Sequence, residues 1–216
     1  MLDADEMHHC IHVLRHKAGD TIHVTDGKGV LYQGKLENIS KSGASFTVTS
    51  KSQLPGLGVN TGIAFSLTKS MDRMEWFVEK AVELGISHIY FYQSHRSERN
   101  KLNLDKIYKT AISAMKQARH GHLPEIHLYT SLKQLIVEVA HFEHQFIAIC
   151  HKPAPSLNSH LPLPGSKIVI IGPEGDFTSE EIELAVSSGY KEVSMGNTIL
   201  RAETAGIVAS TLIKLS

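Results

Sequence analysis

The chain has 216 residues, 42% of them hydrophobic and 20% charged, which is a globular composition and excludes a disordered one. Lysine plus arginine and aspartate plus glutamate both total 22, so bulk charge draws the protein to neither nucleic acid nor a lipid surface. No apolar run approaches the roughly 18 residues of a membrane span, and Cys10 and Cys150 cannot make a disulfide framework; a reduced, cytoplasmic protein is expected.

Residues 9–15 predict a short helix that ends near Gly19. Residues 21–25 alternate with Ile22 and Val24 on one face, and Asp26-Gly27-Lys28-Gly29 supplies a hairpin turn into a strand over 30–39. Lys41-Ser42-Gly43 turns the chain again, after which Ala44, Phe46 and Val48 are expected inward. Short, closely spaced strands predict a small barrel, and Pro55-Gly56-Leu57-Gly58-Val59-Asn60 reads as a linker.

The rhythm then changes. Residues 63–67 read as a buried strand, and Asp72-Arg73-Met74-Glu75 as a capping box with Asp72 as the cap. Phe77, Ala81 and Leu84 mark the inner face of the helix that follows, Trp76 is expected in the core, and Gly85 ends the helix. A strand over 86–92, a helix over 104–117 and a short helix over 132–139 follow. The runs 146–150 and 168–171 are continuously apolar, as in parallel strands covered on both faces. Thr178 to Glu181 is a second capping box, a further strand lies at 192–195, and 202–215 is the last helix. Alternating strands and helices predict an α/β domain with a mostly parallel sheet.

Charge is unevenly spread. Residues 93–122 carry seven basic and two acidic side chains, a basic island suited to an anionic partner met at a defined place. Fourteen histidines, with His8, His9, Cys10, His12 and His16 clustered, invite a zinc site, but no second pair at finger spacing follows and no metal is expected.

Ligands in such sheets bind beyond the carboxyl ends of the strands. Gly172-Pro173-Glu174-Gly175-Asp176 lies there, between an apolar strand and a capped helix; read alone it is equally a tight strand-to-helix turn. Arg201 opens the last helix, where a cation opposes the macrodipole, so it serves either a function or a salt bridge to Glu203 or Glu174.

Ile171-Gly172-Pro173-Glu174-Gly175 followed by Leu200-Arg201-x-Glu203-Thr204-Ala205 resembles the trefoil-knotted SPOUT methyltransferases, and within them the RsmE-type 16S rRNA uridine N3-methyltransferases. His9-x-x-x-Val13-Leu14-Arg15, Asp26-Gly27-x-Gly29, Lys69-x-x-Asp72-Arg73-Met74-Glu75-Trp76 and Lys80-Ala81-x-Glu83-Leu84-Gly85 extend the likeness along nearly the whole chain. Asp176 departs from the commoner glycine at its place.

The resemblance implies a PUA-like β-barrel RNA-binding domain over 1–55, short at its N-terminus, a linker over 56–62, and a knotted SPOUT domain over 63–216. S-adenosylmethionine would be held by Leu67, Gly172, Pro173, Glu174, Gly175, Met195, Gly196, Ile199 and Leu200, in knot loops after the strands at 63–67, 168–171 and 192–195. Arg201, Glu174 and Glu203 would be catalytic, the arginine stabilising a uracil anion and a glutamate taking the N3 proton or placing the arginine. Arg15, Lys69, Arg73, Arg96, Arg99, Lys116 and Arg119 would meet 16S rRNA in the 30S subunit, and the apolar last helix would support a homodimer. The alternative is a non-catalytic RNA-binding protein of ribosome assembly.

Overall fold

The computed structural model describes residues 9–40 and 43–216, which fall into two compact units. The first takes in the chain up to Gly56 together with residues 120–122. It begins with a short π-helical turn (His9–Val13), and its three strands β1 (Thr21–Thr25), β2 (Val30–Ser40) and β3 (Gly43–Gln53) form one antiparallel sheet in that order. The expected turn at 41–42 lies outside the described residues. Asp26 shapes the first hairpin, its carboxylate accepting from the Lys28 and Val30 amides. Ile22, Leu36 and Ala44 make the small core. Val48, expected inward, is 49% exposed: it pairs with Gly34, and the Phe46 ring has taken the space over that glycine. His122 lies in this unit with its ring against Gly29 and Nε2 3.0 Å from the Pro55 carbonyl.

The second unit is a six-stranded parallel sheet in the order β6-β5-β4-β8-β7-β9. The strands are β4 (Thr61–Ser66), β5 (His88–Tyr92), β6 (Glu125–Tyr129), β7 (His144–Ala148), β8 (Lys167–Ile171) and β9 (Lys191–Val193). Its helices are α1 (Met71–Glu83), α2 (Leu104–Ala118), α3 (Leu132–Glu138), α4 (Ser179–Ser187) and α5 (Ala202–Lys214). Ile63, Phe65, Phe91, Val169 and Ile171 face α1, α2 and α5, whereas Ala64, Tyr90, Ile168 and Ile170 face α3 and α4. Both faces are covered, which is why these strands read as unbroken apolar runs.

Two sequence expectations fail on α1. Its N-cap is Ser70, without a side-chain bond, and not Asp72; Glu75 is drawn to Lys106 on α2 instead of back to the helix start. Trp76 is 44% exposed, because the helical step that buries Met74, Phe77, Val78 and Ala81 carries it outward. The capping box at α4 forms as expected, Thr178 accepting from the Glu181 amide and Glu181 from the Thr178 amide.

Candidate functional site

Strand order departs from chain order where β8 inserts between β4 and β7, a topological switch that leaves a crevice beyond the carboxyl ends. A cleft of about 710 Å3 occupies it, walled by the loops after β7, β8 and β9. Of the residues expected to hold a cofactor, Gly172, Pro173, Glu174, Met195, Gly196, Ile199 and Leu200 line this cleft. Gly175 is not in its wall; its carbonyl accepts from Arg96 Nη1 at 2.7 Å. Leu67 is buried in the core, its amide bonded to the Tyr92 carbonyl, and the loop at 149–154 stands where the loop after Leu67 was expected. The signal for that loop is present in Cys150-His151-Lys152-Pro153, a polar, proline-bearing turn directly after an apolar parallel strand.

The walls are chemically distinct. On one, residues 195–200 run without regular structure, and among the described residues no main-chain hydrogen bond engages their N–H groups. Gly196 adopts φ 128°, and a side chain there would point into open space. On another, Asp176 holds the left-handed φ of 58° that favours glycine. Its Oδ1 accepts from the Phe177 amide at 2.8 Å, and its Oδ2 accepts from Cys150 Sγ and lies 3.3 Å from His151 Nδ1. This residue therefore ties the loop after β7 to the loop after β8. Burial, and then the Asp176 carboxylate, push the Cys150 thiol above its ordinary pKa. Tyr92, wholly buried, donates to the Ile171 carbonyl at 3.0 Å and fixes the end of β8.

The three expected catalytic residues separate. Arg201 and Glu174 line the cleft; Glu203 does not, and its side chain, 10% exposed, turns to Arg73 on α1. Arg73 Nε is 3.5 Å from Glu203 Oε1 and Arg73 Nη1 is 3.6 Å from Glu174 Oε1. The salt bridge open to Arg201 is thus made by Arg73, a pairing that no local pattern in the sequence announces. Arg201 is the N-cap of α5 with no side-chain cap bond, a position where serine, threonine or aspartate would contribute roughly 0.5–2 kcal/mol. Its guanidinium is exposed and has no hydrogen bond or ion pair among the described residues.

Much of the basic island is engaged within the protein. Arg96 is bonded to the Gly175 carbonyl, Arg99 donates from Nε and Nη2 to the Lys69 carbonyl, and Lys69 pairs with Glu98 at 3.1 Å. Ser94 and the His95 amide both donate to Glu181 at 2.9 Å, so α4 fixes the start of the island. Lys116 and Arg119 are exposed at the end of α2, and Arg15 is exposed in the first unit.

Comparison with known proteins fits this geometry. The RNA methyltransferase domain family matches residues 57–214, and the RNA methyltransferase PUA domain family matches 2–49. Ribosomal RNA small subunit methyltransferase E of Bacillus subtilis is 26% identical over 98% of this chain and 88% of its own. The crystal structure of a probable rRNA-methyltransferase from Porphyromonas gingivalis has a TM-score of 0.91 at 32% identity, covering 98% of this chain and 91% of that one. Ribosomal RNA small subunit methyltransferase E from Neisseria gonorrhoeae, bound to S-adenosyl methionine, has a TM-score of 0.88 at 25% identity over 99% of this chain and 90% of that one.

Proposed function

The chain belongs to the RsmE-type rRNA methyltransferases of the SPOUT superfamily, and on that premise we propose that it transfers the methyl group of S-adenosylmethionine to N3 of uridine 1498 of 16S rRNA in the assembled 30S subunit. The observation that carries this reading is an unpaired guanidinium, Arg201, on the wall of a cleft at the sheet's switch point.

The cleft fits the cofactor. Its volume is that of a small-molecule site. The N–H groups of 195–200 are unspent donors, and the open space at Gly196 lets a ligand approach the main chain. Gly172, Pro173, Glu174, Met195, Gly196, Ile199 and Leu200 would hold it, with Gly175 and Leu67 acting from behind. S-adenosylmethionine supplies an electrophilic methyl group when bound. The protein's part is to align the base for in-line attack and to manage the N3 proton. Arg201 stabilises the negative charge that develops on the uracil, and Glu174, the glutamate that faces the cleft, takes the proton. Glu203, turned off the cleft, acts through Arg73.

Arg15, Lys116 and Arg119 serve the RNA backbone, with Lys69 and Arg99 beside them. Residues 1–55 act as the RNA-binding domain; the linker expected over 56–62 ends at Asn60, because Thr61 and Gly62 already pair in β4 of the catalytic domain. The protein works in the cytoplasm as a homodimer, for which Ile199 in the loop ahead of the last helix and Leu215 just after it, both over four-fifths exposed, give apolar surface. The test is transfer of tritiated methyl from S-adenosylmethionine to 30S subunits, with the modified base mapped. Label at N3 of the named uridine is expected. RNA binding without transfer would favour the assembly-factor alternative.

A further inference from the structure

One guanidinium holds two carboxylates drawn from separate parts of the chain. Arg73 comes from α1, Glu174 from the loop after β8 and Glu203 from the first turn of α5, at 3.6 and 3.5 Å. Arg73 was expected to meet RNA, but its side chain is only 35% exposed and is engaged inward. Arg201 shares the cleft wall with Glu174 and precedes Glu203 by two residues, yet is paired with neither.

We infer that Arg73 is a positioning residue whose task is to occupy the Glu174 and Glu203 carboxylates, so that the Arg201 guanidinium stays uncompensated and available to charge developing on the RNA base. The inference rests on the reading of Arg201 given above. A cation accelerates a reaction only by what it gains in the transition state beyond the ground state. An arginine already neutralised by a carboxylate must surrender that contact before it can act. Two guanidiniums and two carboxylates balance; without Arg73, Arg201 faces both carboxylates alone. The pull on it would be strong, because Glu203 is nine-tenths buried and its Oε2 has no hydrogen-bond partner among the described residues. A buried carboxylate stripped of its counter-ion is a costly state that recruits any cation in reach.

The test uses Arg73→Ala and the double variant Arg73→Ala/Glu203→Gln in the full chain. Arg73→Ala is expected to keep cofactor affinity within a few-fold by calorimetry while turnover on 30S subunits falls roughly tenfold or more. Its crystal structure should show the Arg201 guanidinium within about 4 Å of Glu174 or Glu203. Adding Glu203→Gln to Arg73→Ala should restore most of the turnover that Arg73→Ala lost, which a merely structural role for Arg73 would not produce. Near-normal turnover of Arg73→Ala, or a folded double variant no better than Arg73→Ala, would overturn the inference. Should Arg73→Ala not fold, the double variant, with no buried carboxylate to expose, decides alone: active supports, folded and inactive refutes. Normal turnover of Arg201→Ala would sink the underlying reading, whereas an inactive Arg201→Ala beside a normal Arg73→Ala sinks this inference only.

Discussion

Replacement of Arg201 by alanine separates catalysis from stability with unusual cleanness. The guanidinium is exposed, makes no bond to a described residue and caps no amide, so its removal forfeits no contact of the folded state. It also removes a positive charge from a helix start, where the macrodipole disfavours one. The unfolding midpoint should therefore hold within about 0.5 kcal/mol. Cofactor affinity should change only a few-fold, since the N–H groups of 195–200 are main-chain donors that the substitution leaves in place. The rate is another matter. Loss of a donor aimed at developing charge costs on the order of 100–1000-fold, or about 2.7–4 kcal/mol of transition-state stabilisation. Single-turnover methyl transfer to 30S subunits at saturating cofactor measures this directly, with calorimetry and denaturant unfolding as controls. Lysine should recover only part of the loss, because a point charge cannot hold a uracil oxygen with the planar fork of arginine. Turnover of Arg201→Ala within a few-fold of the parent would refute the argument, since nothing else in the structure gives Arg201 a task.

Four further outcomes follow from the site and its support. Cys150 should stay a thiol at neutral pH, so its alkylation by iodoacetamide should rise with pH at a midpoint above that of an ordinary thiol; Asp176→Asn removes a negative charge and should move the midpoint down, and an unmoved midpoint would show that Asp176 does not act on it. Arg96→Ala frees the Gly175 carbonyl and should weaken cofactor binding in calorimetry. Arg119→Ala should instead lower the salt slope of RNA binding by roughly 0.7–0.9 per lost phosphate contact, and an effect of Arg119 on the cofactor would contradict this division. Gly206→Ala would set a Cβ 2.8 Å from the Phe77 ring, which is itself stacked on Phe65 at 4.3 Å, and should destabilise the fold by about 1–3 kcal/mol in urea titration with the m-value unchanged.

Features encoded within a few consecutive residues are legible in the sequence alone. The apolar runs of β7 and β8 announce strands buried on both faces, because burial on two sides leaves no polar alternation. The α4 capping box needs only Thr178 and Glu181, whose mutual bonds close within one turn. Glycines and the arginine near the carboxyl ends locate the cleft, since a parallel sheet exposes its ligands there. The strand β6 is not legible: it is an edge strand in which Ile126 alone is buried, and its histidine, glutamate and tyrosine carry no apolar pattern. Asp72 has the composition of a cap, but Glu75 has a stronger partner in Lys106, brought by a helix 31 residues further along the chain. The loop at 149–154 is legible as a turn after an apolar strand, but that it borders the site is decided by strand order, with β8 inserted between β4 and β7. The ion pairs resolve likewise. Proximity in sequence offers Glu203 to Arg201, and the tertiary structure gives it to Arg73, because α1 packs against α5 and a buried carboxylate takes the cation that packing delivers.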